Sequence, residues 1–225
     1  MRKFLAAAAS LAAIISILLT AVFIMSFSRG FYEYEYRKGN QAEKIGMSDE
    51  GLMDATVTLL DYLEDKRDDL IVVTEVNGEE REVYNARETL HMVDVKNLFQ
   101  SSVTARNILA CVSLALLIGL FVKNKKRYFR NLKTGWYLAA GLFLLFVAFV
   151  AIWCIADFNG FWMQFHYVFF DNDLFLLDPN TSIMINMFPE SFFFDIVIGV
   201  ILISAAVYGL ITVLLNVLAK KEAAA

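Results

Sequence analysis

The sequence predicts a membrane α-helical fold: a four-transmembrane-helix bundle with a small α+β extracytoplasmic domain. Three observations predict it. Of 225 residues, 58% are hydrophobic and 14% aromatic, above the roughly half-apolar share of a soluble domain. The excess is gathered in four long runs, each near the ~20 residues needed to cross a hydrocarbon core of ~30 Å. The basic residues between and beyond those runs are divided very unequally, as they are in inner-membrane proteins.

The first run, Phe4–Phe27, is uncharged, and residues 1–27 are assigned to transmembrane helix 1. Its apolar length exceeds the ~7–15 residues of a secretory h-region and no small-x-small cleavage site follows, so a retained anchor is expected. It does not end in a lipobox cysteine, so the chain is not expected to be a lipoprotein itself. The second run, 103–122, is the weakest. Its strictly apolar part begins at Ile108, and Arg106 is expected to snorkel at the outer boundary. The third covers 134–156. The fourth covers 192–218, with Asp195 near its start.

Arg2 and Lys3, six basic residues in the loop 123–133, and Lys220 and Lys221 make ten basic residues against one acid, Glu222. The remainder of the chain holds ten basic residues and 23 acids. Both termini, the basic loop 123–133 and the tail 219–225 are therefore expected in the cytoplasm. Segments 28–102 and 157–191 are expected on the outer face of a bacterial plasma membrane. Nucleic acid is not an expected partner; membrane lipid is.

The first outer segment reads as a folded domain. Tyr32, Tyr34 and Tyr36 alternate with Glu33 and Glu35, which predicts a short strand. Residues 48–66 predict a helix with Ser48 as N-cap, Asp49 and Glu50 in its first turn, and Leu52, Leu59, Leu60 and Leu63 on one face. Residues 70–76, then Asn77-Gly78, then 80–84 predict a hairpin with a two-residue turn. A further helix starts near Ala86 and runs towards the second span. In the second outer segment, six of the ten residues 161–170 are Phe, Trp or Tyr. Such a cluster suits the headgroup level of a bilayer, or the wall of a slot for an acyl chain.

Several chemistries are excluded. There is no GxSxG, no SxxK and no outward-facing cysteine, since Cys111 and Cys154 both lie in apolar runs. P-loop and dinucleotide fingerprints are missing, so no cofactor is expected. Two distant histidines without HExxH spacing do not predict a metal site, while a carboxylate-rich one stays open, because 22 of the acids lie in the two outer segments. What remains is His91 and His166, the sole histidines, one in each outer segment. Histidine, with an ordinary pKa of ~6.5, suits proton transfer near neutral pH. Asp94 is one turn from His91, a spacing that could brace one imidazole nitrogen. On residue types alone, two packed or surface histidines without a role are the favoured reading.

The local sequences add a resemblance. His91-Met92-Val93-Asp94-Val95-Lys96, then Phe165-His166, then the run from Asn172 and Asp173 to Pro179, and Met187-Phe188-Pro189-Glu190 resemble motifs of the lipoprotein intramolecular transacylase family. The order and placement of the motifs and the four-span layout agree along nearly the whole chain. Phe175 stands where that family is expected to carry tryptophan. The resemblance implies a membrane-bound O-to-N acyltransferase acting on diacylglyceryl-modified lipoproteins. It would move the sn-2 acyl chain of the diacylglyceryl-cysteine to the α-amino group of the same cysteine, leaving a lyso-form lipoprotein. It marks His91 and His166 as catalytic. Supporting roles in orientation or at the oxyanion fall to Asp94, Lys96, Asn172, Asp173 and Arg106, with no choice between them, and the division of base and acid between the histidines stays open. A non-catalytic membrane adaptor, binding peptide or lipoprotein through the acidic outer domain, is the alternative.

One geometric expectation follows. A straight helix from Ala86 into the second span would hold His91 12 residues, or ~18 Å, above Val103. His166 lies in a stretch suited to the interface. A shared site therefore predicts that the chain between His91 and Arg106 bends or lies along the membrane, and that both histidines face one cavity open to the outer leaflet.

Overall fold

The computed structural model describes residues 2–224. In chain order the elements are α1 (Arg2–Ser26), α2 (Arg29–Gly39), α3 (Gln41–Ile45), α4 (Asp49–Leu63), β1 (Val73–Val76), β2 (Glu79–Glu82), α5 (Ala86–Lys123), a 3₁₀ turn (Lys125–Arg127), α6 (Tyr128–Ala156), α7 (Phe158–Phe169), α8 (Ile183–Met187) and α9 (Glu190–Ala224). Among the described residues, four helices are long and apolar enough to cross a membrane: α1, α5, α6 with its 3₁₀ turn, and α9. The chain divides into two compact units.

The first unit is Met1–Phe23, Ser102–Ala156 and Val197–Ala225. Its helices approach closely at small residues. Gly135 of α6 sits so near the Ala6 and Ala7 backbone that a Cβ there would fall 2.4 Å from the Ala6 carbonyl carbon. Hydroxyls of one helix donate to backbone carbonyls of another: Ser113 to Ala9 at 2.9 Å, Ser16 to Arg106 at 3.1 Å and Tyr208 to Ile14 at 2.7 Å. Small residues and side-chain hydrogen bonds are what hold helices together in lipid, where apolar burial supplies no drive. The outward faces of α6 and α9 are covered in exposed Leu, Ile, Val and Phe, Leu145 and Leu210 among them.

The second unit is Ile24–Ser101 and Asp157–Ile196. Its core joins Tyr32, Tyr36, Leu52, Leu59, Leu60 and Leu63 to Met187, Phe188 and Phe192. The strand expected at Tyr32–Tyr36 is instead helix α2. Tyr32 and Tyr36 are four residues apart, so a helix buries both while Tyr34 stays exposed, and Arg37 pairs with Glu33 at 3.0 Å across one turn. Tyr36 and Thr56 share a buried hydrogen bond of 2.7 Å. The period of two in the sequence is a by-product of three tyrosines on a helix with one of them outside. Helix α4 has Ser48 as N-cap, its Oγ accepting from Gly51 N at 3.0 Å. Asn77 (φ 55°) and Gly78 (φ 84°) turn the antiparallel pair β1–β2, with Val76 opposite Glu79. Two successive positive φ values are the two-residue turn whose twist matches its strands.

Helix α5 is unbroken from Ala86 to Lys123, so no interruption separates His91 from Arg106. The physical reason is plain: the helix contains no proline, and its first glycine is Gly119. The aromatic stretch of the second outer segment is itself helical, as α7.

Candidate active site

His91 sits in the second turn of α5, and its ring is buried. His166 lies two turns into α7. Their ring centroids are 6.0 Å apart and the planes are tilted by 34°. Aromatic rings enclose them. Phe170 meets His91 edge-on at 5.3 Å. Phe175 stacks on His166 at 4.8 Å, and Trp162 meets it edge-on at 5.1 Å. Trp162 in turn stacks on Phe165 and Phe193. The aromatic cluster in the sequence is thus, in part, the wall of the histidine pair.

His166 Nδ1 lies 2.7 Å from the Trp162 carbonyl oxygen. A carbonyl accepts only, so the hydrogen-bond network assigns the proton to Nδ1 and leaves the Nε2 lone pair free. His91 differs: its Nδ1 is buried and has no hydrogen-bond partner. An orphaned buried nitrogen costs about 1–3 kcal/mol, and among the described residues it is the only such side-chain atom in this unit. Burial pushes the His91 pKa down to about 4, the neighbouring His166 adds to the shift, Asp94 opposes it, and Arg87 lowers it further. Burial also lowers His166, against the effect of its Trp162 hydrogen bond. Both rings are therefore neutral near pH 7.

Of the supporting residues expected from the sequence, the structure draws in some and not others. Asp94 does not brace an imidazole; its Oδ2 accepts from Asn172 Nδ2 at 2.9 Å, joining α5 to the segment after α7. Asn172 also accepts from Leu174 N at 3.0 Å. The Asp173 carbonyl accepts from the Arg87 guanidinium. Lys96 is engaged elsewhere, with Asp65 at 2.7 Å and over the Tyr62 ring at 4.4 Å. Arg106 belongs to the first unit, bonded to Asn107 and lying over Phe23. Neither is among the residues gathered at the histidine pair.

The shared cavity expected around the histidines is neither of two hollows found in this unit. One, of about 270 Å³, is lined by Tyr36, Lys38, Lys44, Met187 and Phe192. The other, of about 220 Å³, is lined by Asn77, Arg81, Asn180 and Asn186. Neither is lined by a histidine. Chemistry, not hollow volume, marks the site: two neutral imidazoles, one with a free lone pair and one with an unpartnered nitrogen, in an apolar wall. No group of three or more His, Cys, Asp or Glu poised to hold a metal is found among the described residues.

Sequence reasoning missed Arg87 and Glu88. The signal for Glu88 was present, since Asn85 followed three residues later by Glu is a capping-box pattern.

The chain is similar along its length to the membrane-integral lipoprotein intramolecular transacylase Lit from Bacillus cereus: 19% identical, covering 100% of this chain and 99% of that one, with a TM-score of 0.82. Two structures of variants of that protein, with arginine or alanine in place of one histidine, match with TM-scores of 0.75 and 0.76. At that identity the likeness shows the fold. No curated protein matches the sequence. The family model for lipoprotein intramolecular transacylase Lit matches residues 7–193, most of the chain, and the protein therefore belongs to that family of acyltransferases.

Proposed function

We propose that this protein transfers the sn-2 O-acyl chain of a diacylglyceryl-cysteine lipoprotein to the α-amino group of that cysteine, using His91 and His166, at the outer face of a bacterial plasma membrane. Both termini and the loop 123–133 are cytoplasmic in this reading, and segments 28–102 and 157–191 face out. The basic bias of the inner segments supports that orientation.

The observation that carries the reading is the histidine pair at 6.0 Å. In aminolysis the attacking nitrogen and the departing oxygen are bonded to one carbon. With hydrogen bonds of ~2.9 Å on either side, two imidazole nitrogens serving that carbon lie roughly 6–8 Å apart, a span that two rings with centroids 6.0 Å apart can reach through their outer nitrogens. The neutral amine attacks the ester carbonyl and the carbonyl π pair moves to oxygen. His166 Nε2, its lone pair free, takes the proton from the new N–C bond's nitrogen. His91 offers the ester oxygen its unpartnered Nδ1. As the intermediate collapses, the C–O bond to glycerol breaks and the His166 imidazolium passes the proton it took to that oxygen, while His91, as its Nδ1–H tautomer, holds the oxygen by a hydrogen bond and stays neutral. The products are an N-acyl amide and a monoacylglyceryl thioether. No protein nucleophile is consumed, because amine and ester belong to one molecule and their positioning supplies the effective molarity.

Mass spectrometry of a lipoprotein N-terminus, from cells with and without this protein, tests the reaction. The acyl chain is expected on nitrogen with the protein and on glycerol without it. His91→Gln with His166→Gln is expected to abolish the transfer. Persistence of the N-acyl product in the double variant would remove the two-histidine mechanism and leave the adaptor reading ahead.

A further inference from the structure

Glu88 is wholly buried, one turn before His91 on α5. Its carboxylate is fully used. Oε2 accepts from Asn85 N at 2.6 Å, closing the capping box that starts α5. Oε1 accepts from Ser182 Oγ at 2.5 Å and from Met184 N at 3.0 Å. Ser182 is itself the N-cap of α8, its Oγ accepting from Ile185 N. One side chain thus joins the first turn of the helix that carries His91 to the segment 170–184, which begins immediately beyond the helix that carries His166. Arg87 and Asp94 tie the other end of that segment, at Asp173 and Asn172. Phe175 lies between these ties and Phe170 two residues before the first of them, and their rings pack on the two imidazoles.

We propose that Glu88 is the positioning residue of the histidine pair: its buried carboxylate sets the distance and tilt between His91 and His166 by clamping segment 170–184 to the start of α5. The inference rests on the two-histidine reading above. Glutamate is the side chain that fits. Three donors converge on its two oxygens, and both oxygens must accept. A glutamine would turn an NH₂ towards either the Asn85 or the Met184 N–H, donor against donor. An aspartate is one methylene short of reaching from α5 to α8.

The test is kinetic. Glu88→Gln, purified in detergent and confirmed folded by its thermal transition, should lower kcat about 100-fold with KM little changed, the cost of misplacing catalytic groups by about 1 Å. Ser182→Ala, which removes one of the three donors and leaves the carboxylate in place, should lower kcat about tenfold. This second variant keeps the proposal testable if Glu88→Gln fails to fold. Histidine NMR supplies a readout that simple loss of stability would not move: opening the clamp should raise the His91 pKa from about 4 towards its ordinary ~6.5. A folded Glu88→Gln or Ser182→Ala protein with wild-type kcat and an unmoved His91 titration would overturn the positioning role. Failure of the two-histidine reading shows differently, as transfer surviving in the double histidine variant.

Discussion

Lowering pH separates the two groups whose protonation the proposed reaction depends on. The substrate α-amine, with a pKa of ~7.7–8, must be neutral to attack. His166 must be neutral to accept a proton. Burial lowers both histidines, His91 to about 4. The sign is set by the direction: a depressed pKa keeps the ring neutral as pH falls, so the histidine limb of the rate profile is displaced towards acid, away from the titration of the amine. With an amine of pKa ~7.8 and a histidine base held below its ordinary pKa, the rise between about pH 5.5 and pH 7 should fall short of the product of two ordinary titrations, towards the roughly 30-fold that the amine alone gives, then level off above about pH 8. Were a histidine of ordinary pKa ~6.5 also required in its neutral form, the same interval would give roughly 200-fold and a log-rate slope approaching two. Initial rates of N-acyl formation on a synthetic diacylglyceryl lipopeptide, read by mass spectrometry across this range, distinguish the slopes. A slope of two, or a rate maximum near about pH 5, would refute a neutral histidine pair shielded by aromatic walls.

Two other expectations are simpler to check. Cysteine placed at Asn77, in the hairpin turn, should react with a membrane-impermeant reagent from outside intact cells and cysteine placed at Asn124 should not; the reverse pattern would overturn the orientation. Gly135→Ala should destabilise the first unit by about 1–3 kcal/mol, because the new Cβ meets the Ala6 and Ala7 backbone at 2.4–2.5 Å and helices must separate to admit it; an unchanged thermal transition in detergent would show that α1 and α6 do not pack this tightly.

The parts of the fold that were legible in the sequence are those decided locally. Four apolar runs, the Ser48 cap and the Asn77-Gly78 turn each state their structure within a few residues, because lipid length, an N-cap acceptor and two positive φ values are local requirements. Helix α2 was not legible as a helix. Its tyrosines alternate with glutamates, and only the partners supplied by distant parts of the chain, Thr56 for Tyr36 and Phe192 for Tyr32, show that positions 32 and 36 are the buried face. The unbroken course of α5 was legible in the lack of glycine or proline between Ala86 and Ile118.

The site divides along the same line. Two histidines could be named from residue type and resemblance, but the choice made by Asp94 could not, since it is tertiary. On one helix Asp94 is within reach of His91, yet its carboxylate accepts instead from Asn172, brought in from the segment beyond α7. That choice has a chemical consequence. A carboxylate hydrogen-bonded to His91 would stabilise its imidazolium and hold its pKa up. With Asp94 engaged elsewhere, its remaining effect on His91 is outweighed by burial and by His166. The pair is thereby left neutral, with the Trp162 carbonyl fixing the tautomer of one ring and nothing fixing the other. In the proposed transfer this suits a reaction that neither gains nor loses a proton overall. An imidazolium at rest would keep the substrate ammonium away and would have no lone pair to offer. Two neutral rings can take the amine proton as the bond forms and return it to glycerol as the ester opens, with the full charge present only while the tetrahedral intermediate lasts.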